Sequence, residues 1–185
     1  MMAGGGRPGG GAPPRASPIA DEICRIVDGL NRLVGVVLGF GVIFVTFSVL
    51  YEVFVRGALN TPTAWANETT VYVSAVIYLM AGGYALLHRA HVRIDLVYER
   101  FPRPARTWLD LLTFVFFVLY AGALVWVGWR MGWQSFQQGE TTGSPWNPPI
   151  WPVKLAIPLA GLFLLLQGLA NLLRDLGIAS PASRR

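Results

Sequence analysis

Residues 33–51 read LVGVVLGFGVIFVTFSVLY, nineteen positions without Asp, Glu, Lys, Arg or His. A helix rises about 1.5 Å per residue, so some 20 apolar residues cross a hydrocarbon core about 30 Å thick. This stretch meets that length as it stands. Three more charge-free runs follow: VYVSAVIYLMAGGYALL (71–87), 111–129 and 155–173. Runs of this length are too long for barrel strands, and inside lipid the backbone has to satisfy its own hydrogen bonds, which leaves the helix. The sequence therefore predicts an all-α polytopic membrane protein of four transmembrane helices, at 33–55, 67–87, 105–129 and 153–173.

Composition agrees and excludes much else. Of 185 residues, 54% are apolar and 14% charged, against about 25% charged in ordinary soluble domains. The segments between the runs are each too short to bury a core, because chains below about 40 residues need staples or partners to fold. No separate soluble catalytic domain is expected. The single cysteine, Cys24, excludes a disulfide framework and any cysteine-rich metal or redox site.

The basic residues set the orientation. Arg15, Arg25 and Arg32, the cluster from Arg89 to Arg106, and Arg174, Arg184 and Arg185 would all lie on one side. Arg56, Arg130 and Lys154 would lie on the other. Short basic loops stay in the cytoplasm, so both termini and the loop at 88–104 are expected inside, and the Trp/Pro-rich loop at 130–152 outside. The net charge of +5 is a topology signal and implies no nucleic-acid partner. Residues 1–18 are Gly/Pro-rich and read as a disordered tail, and 174–185 as a second cytoplasmic tail. Between them, Ile19, Ile23, Ile26 and Leu30 recur at helical spacing. Residues 19–32 are read as an amphipathic interfacial segment, the alternative being a plain extension of the first span.

The runs lack what transport chemistry within the bilayer needs. Ionisable residues there mark ion paths and proton relays, and Glu52, Glu68 and Asp110 stand only at span ends. Thr46, Ser48, Ser74, Thr113, Gln167 and Asn171 are read as helix–helix hydrogen-bonding groups. No cofactor is expected: haem needs histidines facing each other from within the spans, and the two here, His88 and His91, stand together after the second run. With Asp95 they could share one helical face, but Arg89 and Arg93 crowd that segment with positive charge, so no metal is assigned. With no catalytic group placed inside the bilayer, the chain is not read as an enzyme.

An ordered set of features carries a family resemblance. Trp65 and Glu68 enter the second span in a Trp-x-x-Glu pattern, and Gly82 and Gly83 close it. HVRIDLVYERFP follows, with His91, Asp95 and Pro102, and a Pro/Trp loop leads later into IPLAGLFLLLQGL at 157–169. With four spans and both ends inside, the chain resembles the small membrane subunit of tripartite ATP-independent periplasmic (TRAP) transporters, the DctQ family. One departure is Ala90, where a glycine commonly precedes the histidine.

The resemblance implies a bacterial inner-membrane subunit whose partners are the lipid bilayer, a large permease subunit and a periplasmic solute-binding protein. In such a system the large subunit carries the ion and substrate sites for gradient-driven uptake of an organic acid, and the small subunit extends the static scaffold. Trp65, Glu68, His91 and Asp95 are then the candidate subunit-contact residues. The competing readings are a self-sufficient four-helix exporter, which would need an acidic residue well inside the first span, and an assembly or scaffold protein of another membrane complex.

Overall fold

In a computed structural model of the protein, residues 17–61, 63–88 and 103–180 are described. They form four helices: α1 (Pro18–Leu59), α2 (Ala64–Leu87), α3 (Arg103–Gln138) and α4 (Trp151–Asp175). Each is long and apolar enough to cross a membrane. The helices of 42, 24, 36 and 25 residues all cover the spans expected from the charge-free runs.

The helices outrun those apolar runs, and their ends show why. α1 is continuous from Pro18, so residues 19–32 are helical and run without a break into the first span. Pro18 supplies its fixed φ in the first turn and Asp21 faces the helix dipole there. At the far end Asn60 turns left-handed at φ 51°.

The stretch 130–152, expected as a loop, is helical as far as Gln138. Nothing in Arg130–Gln138 breaks a helix until Gly139, which takes φ 59°. There the Glu140 amide donates to the Ser135 carbonyl at 3.1 Å and the Gly139 amide to Phe136 at 3.2 Å, a Schellman ending that glycine makes available. α4 closes in the same way on Gly177, at φ 71°, with the Ile178 amide donating to the Leu173 carbonyl at 3.0 Å.

What remains of the loop is tied to itself. The Gly143 amide donates to Asn147 Oδ1 and the Asn147 amide to Ser144 Oγ, both at 2.9 Å. The Ile150 amide donates to the Glu140 carbonyl at 3.0 Å, closing the turn into α4.

α4 is the central element and touches each of the other three helices, whereas α3 packs mainly on α4. Large side chains seat on glycines at these contacts. The Tyr84 ring lies over Gly35, Leu155 over Gly132 and Phe117 over Gly168, so close that a Cβ on any of the three glycines would overlap it. Pro158, inside α4, rests on Gly128, where a Cβ would come within 2.9 Å of the proline nitrogen. Close backbone approach of this kind is how membrane helices gain contact, since lipid tails are as apolar as leucine. Most other large apolar side chains, among them Phe40, Phe47, Tyr78 and Trp126, point outward.

Candidate functional site

Polar side chains meet where α1, α2 and α4 converge. On α1, Asp28 and Asn31 stand three residues apart; on α4, Gln167, Asn171 and Arg174 follow at steps of four and three. Such spacings put each set on one face of its helix. Gln167 and Asn31 are fully buried. Asn31 Nδ2 donates to Gln167 Oε1 at 2.9 Å, and Gln167 Nε2 donates to Asp28 Oδ1 at 3.0 Å. Arg174 grips the same carboxylate with both terminal nitrogens, at 3.2 and 2.6 Å. Asn171 Nδ2 reaches across to the Leu86 carbonyl near the end of α2, at 3.1 Å.

The arrangement joins three helices through amides and one ion pair. The Arg174 side chain is 5% exposed and that of Asp28 19%, and a planar guanidinium meeting a carboxylate with two donors fixes geometry as well as charge. Asn31 Oδ1 has no conventional donor, yet it abuts Gly83 so closely that only a residue without Cβ fits. Contacts of a carbonyl oxygen with a backbone Cα–H are weak but recur at helix interfaces.

Next to this network the ends of the described chain are tied together. The Ser17 amide donates to the Ile178 carbonyl at 2.9 Å. Ser180 gives its amide and hydroxyl to the two Asp21 oxygens, at 2.6 and 3.0 Å. Ala20, Cys24 and Val27 pack there with Ala170 and Ala179, and the Cys24 thiol is buried, 3.7 Å from the Ala170 carbonyl. Its role is packing.

At the opposite end of the bundle, Glu52 accepts from the Thr63 amide at 3.2 Å, from the Thr63 hydroxyl and from Arg56 at 3.0 Å. It thereby closes the turn between α1 and α2. Glu140 pairs with Lys154 across the turn between α3 and α4. That ammonium holds the Glu140 carboxyl below its ordinary range. The α3–α4 turn is linked to the start of α2 by Thr142, whose hydroxyl donates to Glu68 at 3.4 Å.

Of the four residues singled out from the sequence, Trp65 and Glu68 lie in the first turns of α2. The Trp65 ring stands 5.6 Å from that of Tyr51. His91 and Asp95 lie outside the described residues. Among the described residues no three of His, Cys, Asp and Glu gather where they could hold a metal ion. Gln167 and Asn171 do bond between helices, as their setting in an apolar run suggested, and so does Ser48, which accepts from Thr70 at 3.1 Å. Thr46 turns back onto the Val42 carbonyl of its own helix. Asp28, Asn31 and Arg174 were not singled out; their step of three on α1 and the 167-171-174 ladder on α4 are the signals that would have found them.

Comparison with known proteins agrees with this architecture. Residues 45–177 match the family described as tripartite ATP-independent periplasmic transporters, DctQ component. The chain is also similar to the sialic acid TRAP transporter small permease protein SiaQ of Vibrio cholerae. The two are 24% identical over 166 residues, covering 86% of this chain and 91% of that one.

Proposed function

The chain belongs to the DctQ family of tripartite ATP-independent periplasmic transporters, and from that premise we propose that it is the static member of a three-part uptake system. It is a small permease subunit, a membrane protein of four helices and not an enzyme. Its partners in this reading are a separate large permease subunit, which binds and moves the solute, and a periplasmic solute-binding protein that delivers it. The system sits in the bacterial inner membrane, with both ends of this chain in the cytoplasm, and is driven by an ion gradient. The solute is an organic acid, as is the one named for the similar Vibrio cholerae protein.

The observation that carries this reading is how the polar groups among the helices are used. Gln167, Asn171 and Ser48 bond to neighbouring helices, and Asp28 is matched by Arg174. A transport site needs polar groups or unwound backbone turned toward a solute near the midplane; here Gln167, Asn171, Ser48 and the Asp28–Arg174 pair hold helices together. Glu52 weighs against an exporter for the same reason, being engaged by Thr63 and Arg56 at a helix turn.

Reconstitution tests the proposal. The chain alone in liposomes, under an imposed Na⁺ gradient with radiolabelled sialic acid and C4-dicarboxylates, should give no uptake above protein-free vesicles. Adding the large subunit and loaded binding protein should restore uptake, and omitting this chain should abolish it. Gradient-driven accumulation by the isolated chain would overturn the reading.

A further inference from the structure

Among the described residues, four buried side-chain atoms have no hydrogen-bond partner: Asn31 Oδ1, Arg174 Nε, Tyr72 Oη and Ser135 Oγ. The first two belong to the network where α1 meets α4. The other two come from α2 and α3 and converge on one carboxylate at the opposite end of the bundle. Ser135, in the last turn of α3, is 1% exposed. Its hydroxyl lies beside the Glu140 carboxyl, outside bonding geometry, and after the Lys154 ammonium it helps to hold that carboxyl below its ordinary range. Tyr72 stands one turn beyond Glu68 on the same face of α2. The charges of both Glu68 and Glu140 reach its hydroxyl.

Buried hydroxyls are seldom left alone, and where they are, a water or an ion usually completes them. The charges here distinguish the two. Glu68 and Glu140 bring two formal negative charges and Lys154 one positive. The Lys154 ammonium bonds Oε2 of Glu140, which leaves Oε1 for another ligand. A water would satisfy the hydroxyls and leave one negative charge unbalanced, whereas a monovalent cation answers both needs. Each hydroxyl oxygen carries two lone pairs to give it, and hydroxyl and carboxylate oxygens are the hard donors that hard cations take. The O–H groups then remain free to turn toward the carboxylates. A divalent ion would overshoot the balance, and among the described residues no third His, Cys, Asp or Glu joins the two carboxylates to hold one.

We propose that Tyr72, Ser135, Glu68 and Glu140 form a site for one small monovalent metal cation, beside Lys154 and next to the α3–α4 turn. Bound there, the ion joins α2 to α3, two helices otherwise connected mainly through α4. The site lies wholly within this chain and is separate from the ion and substrate sites assigned to the large subunit.

Cation-dependent stability of the purified full-length chain in detergent tests the proposal. At constant ionic strength, NaCl in place of choline chloride should raise the melting temperature by several degrees, saturating as a single site does. Tyr72→Phe and Ser135→Ala each delete only a hydroxyl, and both should lose that increment. In choline both should melt no lower than the unsubstituted chain, because the oxygen removed is buried without a partner there. Thr46→Val should keep the increment, since that hydroxyl bonds only within its own helix. Equal melting in NaCl and choline would mean a bridging water only and would overturn the proposal. So would an increment that survives both hydroxyl variants, or one that is larger with CaCl2. If either variant fails to fold, equilibrium dialysis of the unsubstituted chain against radiolabelled Na⁺ decides. Saturation at one ion per chain supports the site, and no bound ion overturns it.

Discussion

Asp28 and Arg174 stand 146 residues apart in sequence and form a two-donor ion pair, at 2.6 and 3.2 Å, where α1 meets α4. Removing one partner of a buried pair leaves the other uncompensated, at a cost of about 3–5 kcal/mol. Asp28→Ala and Arg174→Ala should each lower the melting temperature of the detergent-solubilised protein sharply. Replacing both, as Asp28→Leu with Arg174→Met, should cost less than either single change. Melting curves by fluorescence-detected gel filtration measure the difference, and additive losses in the double variant would show that the pair does not act as a unit.

Gly83→Ala should destabilise by about 1–3 kcal/mol, the usual penalty of overpacking. Its Cβ would overlap Asn31 Oδ1 and lie 3.2 Å from the Phe163 Cβ. Gly122→Ala is the control, because no atom lies within 4 Å of the Cβ it would add. That change should be neutral or gain a few tenths of a kcal/mol, alanine being the better helix former. Equal effects from the two would show that the fit at Gly83 is not limiting.

The Glu140–Lys154 pair predicts a pH dependence of definite sign. Lys154 lowers the Glu140 carboxyl in the folded chain, so the unfolded chain takes up a proton first as pH falls. The stabilisation is complete above the ordinary carboxylate range and is lost as pH drops below it, through the lowered folded value. In Glu140→Gln that component should vanish, leaving a flatter stability profile below about pH 5. Thermal melts between pH 3 and 7 separate the two proteins; identical profiles would remove the pair as a source of acid lability.

Orientation follows from the basic residues and is read by labelling. In a Cys24→Ala background, cysteines at Thr61 and Pro145 should react with an impermeant thiol reagent in intact cells, and one at Arg100 should not. Labelling of Arg100→Cys as fast as the other two would reverse the topology.

The sequence after α2 is expected to touch the large subunit. Asp95→Ala and His91→Ala should then reduce recovery of the complex several-fold while leaving this subunit inserted at its normal level. Unchanged recovery for both would confine the pair to local structure. Co-purification quantifies either result.

The spans were legible because nineteen residues without charge admit few structures, and each of the four helices indeed covers its run. The helix ends were less so. Arg130–Gln138 is polar enough to suggest a loop, but polarity does not stop a helix; the left-handed Gly139 does, and Gly177 does the same for α4. The partnership of Asp28 with Arg174 was hidden for a different reason. Arg174 directly follows an apolar run and reads as a flanking charge, Asp28 lies five residues before another, and only the relative depth at which α1 and α4 pack brings the two together. Gln167 and Asn171 could be recognised as interhelical groups because apolar neighbours leave an amide few other partners, whereas the identity of those partners again depended on packing.

The central position of α4 has a consequence for how the protein is made. α4 leaves the ribosome after the other three helices, and it carries Gln167, Asn171 and Arg174, the partners that Asn31, the end of α2 and Asp28 engage. Until it arrives, the Asp28 carboxylate lacks its Gln167 and Arg174 donors, the Asn31 amide has only the Val27 carbonyl of its own helix, and Gly128 and Gly132 of α3 are bare. The α1–α2 contact, with Tyr84 over Gly35 and Ser48 on Thr70, can form first, whereas the polar network cannot. It waits on α4, so a nascent chain interrupted before residue 151 leaves Asp28 without Arg174.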